Sequence, residues 1–294
     1  MTTARVAGAG RGRHPHSVPV RRRPLRQRSY SAFRGLMIAL VIVIFLAPLL
    51  WMLMSSFKRN VDIQDTSKSF VFSPTLANYT EVFGRDDYLD FVGNSLWIAL
   101  WATALSLLIG VPAAYAMSRF NMRRSALVVL LARIIPGVSL LVPWYYIFAN
   151  LGWVGGYSVM ILSHMFILIP ISVYIMMSYF DSMPPDLEEA SLIDGLTRIG
   201  AFLRIMLRLS LPGIATAGIL SFIFSWNNFM FALVLTSSET RTLPVAVFDF
   251  VSYASIDWGA IMAASVIMTV PIIVVALFAQ RYIVSGLTAG ATKG

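Results

Sequence analysis

Three acids close together, Asp186, Glu188 and Glu189, are the side chains of this sequence best arranged for a charged contact. They follow two prolines and precede Gly195, a pattern that predicts a short helix with a left-handed glycine at its end. The helix dipole favours negative charge in the first turn of a helix. Two interpretations fit this segment: an amphipathic loop lying on a membrane surface, or a docking element for a partner protein.

A second short helix is predicted directly after the first. Its apolar residues recur at spacings of three and four, which is typical of an amphipathic helix, and three arginines fall largely off that stripe. Pro212 then opens the next apolar run. The apolar residues of the first helix are Leu187, Ala190 and Ile193, and those of the second are Ile199, Phe202, Leu203 and Met206.

The sequence lacks the residues of a nucleotide-binding or proton-coupled protein. No glycine-rich phosphate loop precedes any of the three lysines, so any ATP that drives this protein is bound by another subunit. All 14 Asp and Glu residues lie outside the long apolar runs, where only Arg133 and His164 are basic. Proton- or sodium-coupled carriers usually need an acid at membrane depth. We therefore expect no catalytic residue and no metal site, and we interpret His164 as a hydrogen-bonded packing residue.

The composition is that of a polytopic α-helical membrane protein. Of the 294 residues, 57% are hydrophobic and 13% are charged, against roughly 25% charged in a soluble domain. Apolar runs of about 20 residues are long enough to cross a bilayer as helices. The net charge of +9 does not indicate nucleic acid, because nine arginines lie in residues 1–34, directly before the first apolar run, where they suit lipid headgroups.

We expect two regions: a basic, disordered cytoplasmic tail over residues 1–34, and a six-helix transmembrane domain over residues 35–294. Lys and Arg are biased 17 to 5 toward the tail, the C terminus and two alternate loops, one of which is 181–211. This bias places both termini in the cytoplasm of a multi-pass protein. The predicted spans are 35–56, 91–117, 125–149, 157–180, 212–236 and 259–280.

Five residues within these spans are candidates for a solute pathway or gate. Asn227 and Asn228, in the fifth span, can bond either solute hydroxyls or neighbouring helices. Tyr145 and Tyr146 either offer aromatic faces to a sugar or belong to an interfacial belt. Arg133, in the third span, either extends to the cytoplasmic interface or takes part in an inner gate.

The 181–211 loop resembles the EAA motif of permease subunits in bacterial ABC importers. In this loop Glu189-Ala190-Ser191 precedes Gly195 at the spacing of the family, and Ile205-x-Leu207 follows. Arg208 stands where the family has a proline, so we expect a straighter exit from the second helix. Ser191 replaces the second alanine of the motif and is close to it in size.

The resemblance extends from residue 35 to residue 294 through further short patterns that occur in the same order. The ending over residues 280–294 is similar to that of maltose-permease G-type subunits. Each pattern is weak alone, and their order along the chain makes the resemblance specific. The other patterns are Asn78-Tyr79, Asn94-Ser95-Leu96, Trp226-Asn227-Asn228-Phe229 and Thr242-Leu243-Pro244-Val245.

This resemblance implies a type I ABC importer permease with six transmembrane helices in the bacterial inner membrane. The implied partners are a second related permease, a dimer of ATP-binding subunits that holds ATP and Mg²⁺, an extracytoplasmic solute-binding protein and the lipid bilayer, with no nucleic acid. The implied solute is a sugar or sugar-like compound; an ATP-independent carrier or channel is the alternative. The residues expected to dock the ATPase are Glu189, Ala190 and Gly195, with Leu187, Ile193 and Phe202 as apolar contacts and Glu188 as a second charge.

Overall fold

The structure, a computed structural model, describes residues 25–85, 87–135, 137–251 and 256–291. Within these ranges the secondary structure is helical, with two isolated bridges and no strand. The chain divides into two compact units, Met1–Leu50 and Trp51–Gly294. The α-helices are, in chain order, α1 (Leu25–Ser56), α2 (Asn60–Gln64), α3 (Ala77–Phe83), α4 (Tyr88–Arg119), α5 (Arg123–Leu131), α6 (Leu141–Asn150), α7 (Tyr157–Ser182), α8 (Asp186–Ile193), α9 (Arg198–Ala201), α10 (Leu207–Leu209), α11 (Leu211–Trp226), α12 (Met230–Leu235), α13 (Leu243–Ala246) and α14 (Trp258–Ala291).

Four helices of the described residues are long and apolar enough to cross a membrane. They match the first, second, fourth and sixth predicted spans, and the all-α membrane fold is thereby confirmed. The other two predicted spans are each divided into shorter helices. The count of six crossings and the orientation of the termini stay predictions. The four helical stretches are Phe33–Ser56, Tyr88–Arg119, Tyr157–Ser182 and Trp258–Phe278.

The first unit contains the beginning of α1. This helix begins at Leu25, earlier than the predicted start at residue 35, so residues 25–34 are helical rather than disordered. Residues 1–24 lie outside the described residues. Every side chain from Phe33 to Leu50 is exposed within the chain, and most are apolar. Because a helix satisfies its own backbone hydrogen bonds, this surface suits contact with lipid tails.

The third predicted span, 125–149, is not one helix. α5 and α6 are separated by a turn and by a 3₁₀ segment over Gly137–Leu140. Residue 136 is a proline, which disfavours the helical conformation of the residue before it. Arg133 consequently lies exposed in the turn after α5, and its predicted position inside a continuous span is wrong.

The fifth predicted span is also divided, because residues 227–229 separate α11 from α12. Asn227 Nδ2 donates to Ile223 O at 2.9 Å, so this side chain is hydrogen-bonded to the last turn of α11. Asn228 Oδ1 accepts the Phe231 N–H at 3.1 Å, which bonds the first turn of α12. Such side chains compete for backbone partners with the helical hydrogen bonds, so a pair of asparagines favours helix ends over a continuous helix.

The core of the second unit forms where α4, α7, α11 and α14 pack together. The backbones of α4 and α7 come close at Gly110, where a Cβ atom would lie 2.9 Å from Ser172 Cβ. Ser172 Oγ lies 3.3 Å from Ser221 Oγ of α11, so a hydroxyl pair accompanies this approach. Small residues and hydroxyl pairs bring helices together in lipid, where apolar packing alone gives little preference for helix over lipid.

Three polar residues of the resemblance patterns hold distant segments together. The Asn78 side chain donates to Ser56 O at the end of α1, at 2.7 Å, and to Lys58 O two residues later, at 2.8 Å. Asn94 donates in the same way to two carbonyl oxygens of segment 239–241, at 2.8 and 2.9 Å. Trp226 Nε1 donates to Met268 O at 3.0 Å and joins α11 to α14. These patterns therefore have a structural role in the fold.

Candidate functional site

The 181–211 loop contains the two short helices that the sequence predicts. α8 begins after Pro185 and ends before Gly195, whose φ of +89° is in the left-handed region that favours glycine. Thr197 caps the next helix, because its Oγ1 accepts the Gly200 N–H at 3.1 Å. Local chemistry thus fixes both ends of the link between the two helices.

The second helix of the loop turns sharply into α11. It passes through α9, a π-helical turn over Phe202–Met206 and α10. The axes of Arg198–Leu209 and Leu211–Trp226 then differ by 72°, so the expected straighter exit is wrong. Pro212 lies in the first turn of α11, where its missing N–H is tolerated, and a new helix therefore starts at this point.

Four apolar side chains of the loop are exposed, on the same short helical segments as exposed Glu189 and Ala190. Ile193 and Ile199 are mostly accessible, whereas Leu187 and Leu203 are about half covered. Large apolar groups exposed together mark a contact site for a protein or a membrane. Their exposed fractions are 86% for Ile193, 72% for Ile199, 53% for Leu203 and 41% for Leu187.

Two of the predicted docking residues face the helix bundle instead. Glu188 Oε1 accepts the Tyr115 O–H at 2.7 Å, and Glu188 Oε2 lies 3.2 Å from Arg119 Nε. This second contact is a close ion pair without a directed hydrogen bond from Nε. Phe202 packs on the Tyr115 ring with 4.6 Å between the ring centroids. Glu188 and Phe202 are therefore less exposed than Glu189 and Ala190, with which the sequence grouped them.

Tyr115 and Arg119 are members of this site that sequence reasoning missed. Both lie on the last turns of α4, directly beneath the loop. Arg119 fits the positive-inside bias equally well as a simple topology charge, and Tyr115 is one apolar residue among many in its helix. Only the tertiary contact with Glu188 distinguishes them.

A recess of about 210 Å³ lies beside these contacts. Its lining includes Glu188, Glu189, Arg119 and Arg198, so both signs of charge meet in one small space. The Arg198 guanidinium lies 5.2 Å from the centre of the Phe120 ring. Within this lining Glu188 and Arg119 are paired with each other, whereas Glu189 and Arg198 are exposed.

A larger cavity, of about 510 Å³, lies at the break between α11 and α12. Asn227, Asn228 and three phenylalanine rings line it, together with part of the 3₁₀ segment before α6. Tyr145 and Tyr146 are not in its lining and are 47% and 70% exposed on α6. The structure thus brings two of the five pathway candidates together. Irregular backbone at membrane depth is tolerated where it lines a cavity.

His164 is buried between α7 and α11. Its Nδ1 lies 2.6 Å from Ser225 Oγ, and the residue is 2% exposed. A hydroxyl partner on the neighbouring helix agrees with the predicted role of a hydrogen-bonded packing residue.

Comparison with known proteins assigns the helices from α4 onward to a family. The model of the family described as binding-protein-dependent transport system inner membrane component matches residues 106–289. The chain is 37% identical to the sulfoquinovosyl glycerol transport system permease protein SmoH of Agrobacterium fabrum, over 90% of this chain and 95% of SmoH. The chain belongs to this family. The permease is also 39% identical to the trehalose/maltose transport system permease protein MalG of Thermococcus litoralis, over 87% of this chain and 94% of MalG.

The permease also shares its fold with a solved ABC importer. A chain in the crystal structure of a bacterial ABC transporter involved in the import of the acidic polysaccharide alginate matches it with a TM-score of 0.73. The two are 18% identical, and the match covers 90% of the permease and 99% of that chain. The region that the family covers contains both the 181–211 loop and the α11–α12 break. The protein is therefore an inner-membrane transport component with the fold of an ABC importer permease.

Proposed function

We propose that this permease is the translocation subunit of an ATP-driven, binding-protein-dependent importer for a sugar or sugar-like solute. The exposed apolar and acidic surface of the 181–211 loop carries the proposal, since it is suited to receive force from a separate ATPase. The names of the two relatives, one for sulfoquinovosyl glycerol and one for trehalose and maltose, support the solute class. The permease itself makes and breaks no covalent bond.

The loop docks the ATP-binding subunit through its exposed residues. Glu189 supplies the charged contact, while Ala190 and Gly195 allow close approach of the two backbones. Leu187 and Ile193 lose water on docking, which contributes roughly 25 cal/mol per Å² of apolar area buried. ATP and Mg²⁺ are bound by that subunit, because the sequence of the permease has no phosphate loop. Phe202 supports the docking surface from below through Tyr115.

The proposed assembly has the loop and both termini on the cytoplasmic side of six crossings. The excess of Lys and Arg in these segments supports this orientation. A second related permease stands beside the chain, a dimer of ATP-binding subunits lies beneath, and a solute-binding protein docks outside. ATP binding closes the ATPase dimer and moves the loop, which favours the outward-facing state over the inward-facing one.

The cavity at the α11–α12 break is the part of this chain best suited to meet solute. Asn227 and Asn228 each use one side-chain atom for a backbone hydrogen bond. An amide side chain has the capacity for further bonds, and solute hydroxyls accept or donate them equally well. Aromatic rings in the same lining offer apolar faces to a sugar.

Reconstitution in vesicles tests the proposed function. The permease is purified with its partner permease, ATPase and binding protein, and uptake of labelled solute is measured with and without ATP. We expect uptake that requires ATP and is stopped by vanadate. Uptake by the permeases alone, without the ATPase, would show an ATP-independent carrier or channel instead. The solute is identified beforehand by titrating sugars into the purified binding protein.

A further inference from the structure

Glu188 and Glu189 are neighbours in sequence but have different surroundings. Glu189 is exposed, whereas the Glu188 side chain is only 13% exposed and the Arg119 side chain that faces it 14%. Successive residues of an α-helix point about 100° apart, so one of two adjacent acids can face a partner while the other faces the bundle. Glu188 therefore faces the bundle, and Glu189 is open to contact from outside the chain.

The contacts of Glu188 all lead to one helix. Its carboxylate accepts the Tyr115 O–H and lies beside the Arg119 guanidinium, and both partners are on the last turns of α4. The Tyr115 ring is packed against Phe202 of the loop, with 4.6 Å between centroids, and against Phe180 of α7, with 5.5 Å. Tyr115 thus joins α4, α7 and both parts of the loop.

Further contacts tie the same end of α4 to the residues that precede α8. Ser118 Oγ donates to an Asp181 carboxylate oxygen, and an Arg119 Nη donates to Met183 O at 3.4 Å. α4 in turn packs along α7 and α11 through the core of the second unit. Polar and aromatic contacts therefore join α8 directly to the helix bundle, so a displacement of α8 also displaces the end of α4.

We infer that Glu188 is a positioning residue that fastens α8 to the end of α4, and that Glu189 alone of the two acids is left for the ATPase. This inference rests on the proposed function of the loop. Two charges held together with little exposure to water interact strongly, and removal of one leaves the other without its counter-charge. Loss of Glu188 should consequently weaken the coupling between ATP hydrolysis and movement of the helix bundle. The surface that the ATPase binds should remain.

The test compares Glu188→Gln with Glu189→Gln in the complete transporter, reconstituted with its ATPase and binding protein. Three quantities are measured: co-purification of the ATPase, its rate of ATP hydrolysis, and solute taken up per ATP. For Glu188→Gln we expect co-purification and hydrolysis within about twofold of the unmodified transporter and about tenfold less uptake per ATP, a typical size for coupling between sites. For Glu189→Gln we expect loss of co-purification.

An exchange of charge separates a specific contact from a general loss of structure. Glu188→Arg and Arg119→Glu should each uncouple uptake from hydrolysis, and the double variant should recover uptake per ATP to within about threefold, because the pair is restored in reverse. Tyr115→Phe keeps the ring packing and removes only the hydroxyl, so we expect a smaller loss of uptake per ATP. This variant tests the inference if the Glu188 variants are not inserted in the membrane.

Two results would overturn the inference. One is loss of ATPase co-purification in Glu188→Gln as complete as in Glu189→Gln, which would place both acids in the docking surface. The other is unchanged uptake per ATP in Glu188→Gln and Tyr115→Phe. Failure of the proposed function has a different signature, since the unmodified transporter itself would then show no ATP-dependent uptake.

Discussion

Gly110 of α4 faces Ser172 of α7 with no room for a side chain between them, because a Cβ atom on Gly110 would lie 2.9 Å from Ser172 Cβ. The neighbouring backbone of α7 is also close, with Ile169 O and Val173 N each 3.6 Å from that position. The two helices therefore touch almost backbone to backbone. Neither neighbour is the flexible end of a long side chain, so the contact cannot relax without moving a helix.

We predict that Gly110→Leu destabilises the permease by about 1–3 kcal/mol, the usual range for overpacking a close contact. The measurement is thermal unfolding of the purified protein in detergent. Gly93→Leu is the matched control, because Gly93 is on the same helix and has no atom within 4 Å of the corresponding position. Equal melting temperatures for the two variants would contradict this account of the α4–α7 contact.

We predict that Glu189→Lys abolishes docking of the ATPase while the permease stays folded. Reversal of an exposed charge leaves the bundle intact, but it places like charges together at the proposed interface, which lowers affinity by about 100-fold or more. Co-purification of the ATPase and ATP-dependent uptake are the measurements. Asp186→Lys is the control, since Asp186 is an exposed acid in the same first turn of α8. Normal uptake by Glu189→Lys would exclude a docking role.

Hydropathy and charge along the sequence are sufficient to predict four long helices, because an uncharged run of about 20 apolar residues can be read directly from the sequence. Gly195 is predictable for a similar reason: few other residues adopt the left-handed conformation that ends α8. The break at Asn227 is not predictable by hydropathy, since two side-chain hydrogen bonds decide it within an otherwise apolar run. Local competition for backbone partners is invisible to an average over many residues.

The different surroundings of Glu188 and Glu189 also escape the sequence. Helical periodicity requires that adjacent residues point in different directions, yet it does not say which of them points inward. That choice depends on where α4 ends and on the side chains that it presents there, Tyr115 and Arg119. Such information belongs to tertiary contacts between segments about seventy residues apart, and no local pattern contains it.

We predict that Asn228→Ala destabilises α12 by about 1 kcal/mol, because the variant loses the oxygen that caps the first turn. Asn228→Ser retains a capping oxygen and should be closer to the unmodified protein. Thermal unfolding in detergent and hydrogen exchange of the α12 backbone measure the effect. If Ala and Ser at this position behave alike, the Asn228 contact with the Phe231 N–H does not stabilise the helix.

We predict that the segment around α2 loses stability in acid through Asp62. Hydrogen bonds from Arg59 and then Lys68 hold the pKa of the Asp62 carboxyl below its ordinary value of 3.8. A lowered folded-state pKa contributes stability that is complete above the unfolded value and is lost as the pH falls below it. Protection of residues 57–76 from hydrogen exchange, corrected for intrinsic rates, should therefore fall as the pH drops through the range below 3.8.

The control for this pH effect is Asp62→Asn. The variant lacks the titrating group, so its segment should be less protected at neutral pH and change less in acid. A variant that keeps the full protection of the unmodified protein at neutral pH would contradict the role of the Asp62 ion pairs.

The second helix of the loop, Arg198–Leu209, meets α11 at a sharp bend at Ser210. Because their axes differ by 72°, a push along Arg198–Leu209 arrives at α11 mainly as a sideways displacement. Ser210 is fully buried, so the segments packed around the bend oppose a change in its angle. We therefore expect the bend to turn a stroke of the proposed ATPase along the loop helix into a lateral movement of α11.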